Sequence, residues 1–217
     1  MVKVLVACEY SGRVRDAFSR NGHDAVSVDL LPSETEGQHI QGDVLDVIKS
    51  QKWDLMVAFP PCTHLAVSGA RHFIGKRADG RQQEALDFVR ALLDAPIEKI
   101  AIENPVSVIS SYIRRPDQII QPYHFGHTVQ KTTCLWLKNL PPLKYTKVVE
   151  PEMVTMQNGE RMSKFHYDTF RLPHSIRGHV RSETFEGIAV AMAEQWGVEK
   201  NAYQMTLPIA KHTERGE

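Results

Sequence analysis

Residues 53–63 read WDLMVAFPPCT, and this stretch predicts where the chemistry of the chain lies. The apolar run at residues 55–59 is typical of a buried strand, and Pro60 and Pro61 must end it because proline donates no ladder hydrogen bond. Cys62 therefore follows the carboxyl end of a strand. Since ligands bind at that edge of an open α/β sheet, we expect Cys62 at a ligand-binding edge.

A second buried run follows about forty residues later. Residues 99–102 read KIAI and lead directly into Glu103, Asn104 and Pro105. Two strands of one sheet would bring a thiol and a carboxylate to the same edge. This pair suits nucleophilic and general acid–base catalysis.

The amino-terminal region predicts a βαβ unit that binds an adenosine. Strands at residues 2–7 and 25–28 flank a helix at residues 12–21, for which Ser11 is the expected cap and Gly22 the expected end. Residues 8–12 form a loop of mostly small residues, and Asp29 follows the second strand, where a carboxylate accepts hydrogen bonds from ribose hydroxyls. The loop contains no GxGxxG motif, and Asp29 equally fits a solvated strand-end acid. Asp43 either caps a short helix or contacts a purine amine.

The remaining pattern predicts an α/β fold with a mostly parallel sheet and helices on both faces. Helices are expected at residues 81–95, 106–115 and 184–196, and strands at residues 98–102, 119–120 and 133–137. Residues 31–41 are interpreted as a surface loop, and residues 63–80 as a basic loop beside the site. Residues 142–183 are interpreted as an irregular stretch whose second half is basic and rich in histidine.

Composition excludes several classes of function. The 217 residues carry 26 basic and 26 acidic side chains, so bulk electrostatics would not hold the chain on nucleic acid. Three widely spaced cysteines indicate neither a disulfide framework nor a metal knuckle, and the histidine spacings fit no zinc pattern, so no metal is expected. No signal peptide or membrane span is evident. We therefore expect a soluble cytoplasmic protein with no membrane partner.

The order of these motifs resembles the DNA cytosine-5 methyltransferases, and particularly their short phage and prophage members. The resemblance extends from residue 4 to about residue 197. Its anchors are FPPC at residues 59–62, IENP at residues 102–105, and the later Phe125-Gly126 and Gln130.

The resemblance implies a Rossmann-like fold that binds S-adenosylmethionine and acts on DNA or a cytosine nucleotide in a bacterial host cytoplasm. Cys62 would attack carbon 6 of a flipped-out cytosine while Glu103 protonates or hydrogen-bonds the ring nitrogen. Asn104 and Lys131 would complete the catalytic set. The implied cofactor-binding residues are Cys8, Glu9, Tyr10, Ser11, Gly12, Asp29, Leu30, Asp43, Val44 and Pro60. The implied nucleic-acid-binding residues are Arg71, Arg77, Gln130, Arg171, Arg177 and Arg181.

The chain departs from the family pattern at three motifs. The first loop keeps only the last glycine of Phe-x-Gly-x-Gly-Gly, and Glu9 is a candidate for the methionine ammonium. Residues 130–134 read QKTTC where the family has Gln-x-Arg-x-Arg, so that Lys131 stands in for an arginine. Residues 187–190 read GIAV and lack the family's asparagine.

The expected organisation leaves little room for reading a DNA sequence. Residues 1–143 form the catalytic core, 184–197 its closing helix and 198–217 a peripheral tail. Residues 144–183 are a small basic insertion in place of a target-recognition domain.

Three functions stay open from the sequence. The first is methylation of cytosine in DNA. The second is the same chemistry on dCMP or a single strand, which the zero net charge and the missing recognition domain favour. The third is a non-catalytic relative that binds DNA or a protein.

Overall fold

The computed structural model describes residues 1–198 of the chain, so the predicted tail lies outside the described residues from residue 199 onward. Its centre is a seven-stranded sheet with the order β3-β2-β1-β4-β5-β7-β6. The strands are β1 (Lys3–Ala7), β2 (Asp24–Asp29), β3 (His39–Gln41), β4 (Leu55–Ala58), β5 (Lys99–Asn104), β6 (Gln118–Ile120) and β7 (Thr133–Lys138). Strands β1 to β5 pair in parallel, and β7 is antiparallel to both β5 and β6.

Helices cover both faces of this sheet, because successive side chains of a strand point to opposite faces. In β1, Leu5 belongs to one buried core with residues of the helices Val44–Ser50, Arg81–Leu93 and Ile109–Tyr112. Val4 and Val6 belong to the other core with residues of the helices Arg13–Arg20 and Glu186–Trp196. The predicted Rossmann-like α/β fold with a mostly parallel sheet is confirmed. The helices are α1 (Arg13–Arg20), α2 (Val44–Ser50), α3 (Phe73–Ala78), α4 (Arg81–Leu93), α5 (Ile109–Tyr112), α6 (Lys164–Phe170), α7 (His174–Ser182) and α8 (Glu186–Trp196).

Two segments that were expected to be loops contain regular structure. Residues 63–80 hold a 3-10 helix (Val67–His72) followed by α3, because Phe73 is buried against α4 and anchors the segment. In the polar stretch after β2, residues 39–41 form β3 at the edge of the sheet. Both interpretations as loops are wrong.

The insertion at residues 144–183 is also more ordered than its sequence predicts. A two-stranded hairpin of β8 (Met153–Thr155) and β9 (Arg161–Ser163) leads into α6 and α7. The turn contains Asn158-Gly159, with Gly159 at φ 83°, a conformation that glycine adopts without strain. The interpretation of residues 142–183 as irregular is therefore wrong.

Within residues 1–198, no helix combines the length and the apolar composition that crossing a bilayer requires.

Candidate active site

The segments that follow β1, β4 and β5 border one cleft at the carboxyl edge of the sheet. The cleft has a volume of about 1040 Å³, and residues from the second half of the insertion also line it. Cys62, Glu103 and Lys131 all line it. The structure thus brings together the thiol, the carboxylate and the amine that the resemblance assigns to catalysis.

Local chain breakers place Cys62 at this edge. Strand β4 ends at Ala58, and Phe59 donates its N–H to the Ala7 carbonyl of β1 before Pro60 and Pro61 leave the sheet. The Cys62 carbonyl then accepts the N–H groups of residues 65 and 66, at 3.0 and 2.9 Å, so that the chain turns directly after the cysteine. The partly buried thiol is therefore held by backbone geometry at the strand end.

Electrostatic effects couple Cys62, Glu103 and Lys131. Burial raises the pKa of the Cys62 thiol and Glu103 raises it further, whereas the positive charges of Lys131 and Arg181 lower it. Burial also raises the pKa of Glu103, with Lys131 opposing the shift. The pKa of the Lys131 ammonium is lowered by burial, while Glu103 and Cys62 act to raise it. The ionisation of each group therefore depends on the charge of at least one of the other two.

This coupling suits one acid and one nucleophile. Glu103 holds its proton to a higher pH than an ordinary carboxyl group, so it can donate a hydrogen bond or a proton. A protonated Glu103 no longer repels a thiolate at Cys62. The positive charges of Lys131 and Arg181 then favour the charged, nucleophilic form of the thiol.

Asn104 holds the two strand ends together. Its side chain is 1% exposed, and its Nδ2 donates to the Pro60 carbonyl at 2.9 Å. No partner for its Oδ1 is found among residues 1–198. Strand β5 extends through Glu103 and Asn104 because β7 pairs with both, which the sequence did not predict. The observed contact is one of positioning, and a catalytic role for Asn104 stays a prediction.

Replacing Asn104 by alanine is expected to destabilise the fold by about 1–3 kcal/mol, because the buried Pro60 carbonyl loses its donor. Urea unfolding would measure the change. The matched control is Asn158→Ala in the exposed hairpin turn, where a change within about 0.5 kcal/mol is expected. Equal stability of the two variants would contradict the positioning role.

Most of the residues predicted to bind the cofactor lie at or just after the ends of β1, β2 and β3. We call the loop at residues 8–12 together with Asp29 and Asp43 the cofactor corner. Cys8 adopts φ 58°, and burial together with the charges of Asp29 and Asp43 raises the pKa of its thiol to about 12. Asp29 accepts the N–H of Leu31 at 2.9 Å, and Asp43 accepts that of Leu45 at 2.8 Å as the cap of α2. The capping interpretation of Asp43 is confirmed. Two carboxylates beside one partly buried loop give the acceptor-rich corner that ribose hydroxyls and an amine require.

Helix α1 is capped by Glu9, so the predicted cap at Ser11 is wrong. The Glu9 carboxylate is 5% exposed and accepts the N–H groups of Val14 at 2.7 Å and Arg15 at 3.2 Å. A carboxylate is favoured there because it faces the positive end of the helix dipole. The Ser11 hydroxyl donates to Glu9 at 3.4 Å, and it accepts the N–H of Arg13 only at the long distance of 3.5 Å. A contact between Glu9 and a methionine ammonium stays a prediction. The Glu9 carboxylate oxygens already accept two backbone N–H groups.

Gly12 is required by packing around a buried arginine. It has φ 75°, and an added Cβ would overlap with Thr35 Oγ1 and the Arg15 guanidinium. Arg15 is 1% exposed and donates to Ser27 at 3.2 Å, Ser33 at 3.1 Å and Thr35 at 2.6 Å. The glycine that survives from the family's first loop thus admits this network, and it lies outside the lining of the cleft.

Helix α7 of the insertion docks on the loop after β1. The Tyr10 hydroxyl and His179 Nδ1 are 2.6 Å apart, with ring centroids 5.7 Å apart. Arg13 pairs with Glu183 at 2.6 Å. Tyr10 therefore belongs to the cofactor corner and also contacts the insertion.

His166 and His179 also line the cleft, although their positions in the sequence did not indicate it. The available signal was the basic, histidine-rich composition of the insertion. That signal does not show which wall of the molecule the insertion covers.

Glu34, His179 and Glu183 form a group of possible metal ligands, with one ligand atom of each residue all within 4.8 Å of one another. His179 Nε2 lies 3.5 Å from Glu34 and 3.3 Å from Glu183. Arg13 and Tyr10 already contact this group, so its visible role is to join α7 to the core.

Not every predicted binding residue reaches the cleft. Leu30 is 73% exposed at the surface, and Val44 is buried in the core as the first residue of α2. Arg77 stacks on Phe73 and Arg171 on Tyr167, and neither lines the cleft. The predicted residues that do line it, besides the catalytic set, are Cys8, Glu9, Tyr10, Ser11, Asp29, Pro60, Arg71, Gln130, Arg177 and Arg181.

Comparison with known proteins gives one named likeness. No protein-family model and no curated protein matches the chain. Among solved structures, the chain resembles a prophage-encoded protein of E. coli that is described as a candidate DNA modification methyltransferase. The two share 15% sequence identity with a TM-score of 0.43, and the match covers 63% of this chain and 46% of that one. The chain therefore matches less than half the length of that protein.

Proposed function

We propose that the chain transfers a methyl group from S-adenosylmethionine to carbon 5 of cytosine in DNA, through a covalent adduct with Cys62. The observation that carries this proposal is the coupled set of Cys62, Glu103 and Lys131 in one cleft. The same cleft continues to Asp29 and the loop after β1. A nucleophile, an acid and an adenosine-type corner therefore share one space.

The residues of the corner fit S-adenosylmethionine by their chemistry. Asp29 would accept hydrogen bonds from the ribose hydroxyls, Asp43 would face the adenine amine, and the loop at residues 8–11 would hold the methionine end. When bound, the cofactor supplies an electrophilic methyl group.

The roles of the protein groups in the reaction follow from the ionisation of Cys62 and Glu103. The Cys62 thiolate adds to carbon 6 of the ring, and Glu103 donates a proton or hydrogen bond to N3 as the electrons of the C5–C6 double bond move toward carbon 5. Carbon 5 becomes nucleophilic and takes the methyl group. A water molecule from solvent then accepts the C5 proton, which restores the double bond and expels Cys62 as a thiolate, while N3 returns its proton to Glu103.

A cytosine in a stacked duplex cannot present carbon 6 to Cys62, so the base must leave the stack to enter the cleft. Arg71 and Arg177 line the cleft and provide positive charge for the phosphates beside such a base.

A second candidate is the same chemistry on dCMP or on a single strand. It is favoured by the zero net charge of the chain and by the small size of the insertion, which leaves few side chains for reading a duplex.

Methyl transfer from labelled S-adenosylmethionine to duplex DNA, single-stranded DNA and dCMP tests these candidates. We expect label in the cytosines of the duplex, recovered as 5-methylcytosine after hydrolysis. Label in dCMP alone, or in the single strand alone, would replace the proposal with the second candidate. No label in any substrate, together with no binding of the cofactor by calorimetry, would leave a non-catalytic relative that binds DNA or a protein.

A further inference from the structure

The insertion contributes a cation to the cleft in addition to Lys131. The segment before β7 carries Lys131 and neither arginine of the family's Gln-x-Arg-x-Arg motif. Arg181, in the last turn of α7, lines the same cleft as Cys62. Its place in the sequence, about fifty residues after Lys131, gives no indication of this proximity.

Two elements of the insertion hold the Arg181 side chain in place. Its Nη2 lies 2.9 Å from Nδ1 of His166 on α6, and the residue is partly buried. Arg181 Nη2 can only donate, so His166 Nδ1 must be the acceptor. Burial and the charge of Arg181 both lower the pKa of His166, which keeps that ring neutral and able to accept. The guanidinium is therefore fixed between α6 and α7 rather than extended into solvent.

The end of α7 is in turn attached to the catalytic cluster. Lys131 Nζ donates to the Glu183 carbonyl at 3.3 Å, two residues after Arg181, and lies 5.6 Å from the centre of the Phe185 ring. Tyr10 and Arg13 fix the same helix from the other side through His179 and Glu183. In agreement with this placement, the charge of Arg181 lowers the pKa of both Cys62 and Lys131.

We propose that Arg181 is a positioning residue that acts through Cys62, with its guanidinium stabilising the thiolate from the wall that the insertion forms. The catalytic consequence rests on the proposed function, whereas the effect on the thiol does not. The nucleophile site is then composite, since the core supplies Cys62, Glu103 and Lys131 and the insertion supplies the second cation. Docking of α7 completes the site, and displacement of α7 leaves a less reactive thiol.

The effect can be measured without cofactor or DNA, by alkylating the protein with iodoacetamide between about pH 6 and pH 10 and quantifying the peptide that contains Cys62. In Arg181→Gln and Arg181→Met, we expect the Cys62 rate near neutral pH to fall about three- to tenfold and the apparent pKa of the thiol to rise. Arg181→Lys keeps the charge and should recover most of the rate. Arg161→Gln, on the exposed start of β9, is the matched control and should leave the profile unchanged.

The pH profile of alkylation depends on every charged group near the thiol. The groups other than Arg181 must therefore be the same in all the variants. They are Glu103 on β5, Lys131 before β7, Arg71 on the 3-10 helix and His166 on α6. Urea unfolding of each variant verifies that the fold is retained. The methionine variant keeps the apolar stem of the side chain and introduces no polar group, so it serves if the glutamine variant fails to fold.

A second readout separates this role from a contact with DNA phosphate. Loss of thiolate stabilisation predicts a lower kcat for methyl transfer with little change in KM for DNA. If KM for DNA rises while the alkylation profile of the folded neutral variants equals that of the wild type, Arg181 binds nucleic acid and the inference is wrong. Slower alkylation in a protein that methylates no substrate would support the inference and defeat the proposed function.

Discussion

Cys62→Ser is expected to lower methyl transfer to DNA by more than about 10³-fold, because a serine hydroxyl is a far weaker nucleophile than a thiolate toward carbon 6 of the ring. The measurement is the incorporation of labelled methyl groups into duplex DNA under single-turnover conditions. The variant should keep its fold, since Cys62 is only partly buried and one atom changes.

Cys134→Ala is the matched control, because Cys134 is 2% exposed on β7 and its thiol is packed in the core. This variant should retain methyl transfer, apart from a modest loss of stability. DNA that carries 5-fluorocytosine supplies an independent readout, because fluorine cannot leave carbon 5 as a proton does. It should therefore trap a covalent complex with the wild-type protein and with Cys134→Ala, and none with Cys62→Ser. Methyl transfer that survives in Cys62→Ser would end the covalent mechanism.

Glu103→Gln is expected to change two properties in opposite directions. Methyl transfer should fall by about 10²- to 10⁴-fold, because glutamine cannot protonate the ring nitrogen. Above the pKa of Glu103, alkylation of Cys62 should become faster than in the wild type, because the charged Glu103 carboxylate raises the pKa of the thiol and glutamine carries no charge. At any pH below the thiol pKa, a lower pKa means a larger thiolate fraction, about tenfold for each unit.

The pH dependence of wild-type methyl transfer also follows from the ionisation of Glu103. The raised pKa of Glu103 keeps the acid protonated to a higher pH than an ordinary glutamate, and the activity of the acid is lost as the pH rises through that pKa. Glu103→Gln should lack this limb of the profile. Glu84→Gln, on the exposed first turn of α4, is the control and should alter neither the alkylation rate nor methyl transfer. A slower or unchanged thiol in Glu103→Gln would show that the two groups are not coupled.

Local sequence patterns predicted the elements that carry the catalytic pair. The apolar run before Pro60-Pro61 predicted β4 and the exit of Cys62 at its carboxyl end, because strand burial and proline geometry act over a few residues. The same reasoning placed Glu103 at the end of the next strand. The helix at α1, its end at Gly22 and the cap of α2 at Asp43 were predicted equally well, since capping and positive φ are also local.

Other predictions failed because a residue has a structural partner that the local pattern did not indicate. Glu9 caps α1, and Gly12 makes room for the Arg15 network with Ser33 and Thr35, so two residues of the predicted cofactor loop have structural partners. The order within residues 63–80 and 144–183 was missed because single anchors such as Phe73, rather than a periodic apolar face, hold these segments in place.

By itself, the sequence determined the strands, the chain breakers and therefore the edge of the sheet at which a thiol and a carboxylate meet. Only the tertiary structure decided what surrounds them: Lys131 coupled to both groups, α7 docked on Tyr10, and Arg181 of the insertion lining the same cleft as the thiol. The physical reason is that hydrophobic period and turn chemistry are encoded over a few residues. The charges that set the ionisation of Cys62 come instead from residues 103, 131 and 181, far along the chain from Cys62, and packing alone brings them together.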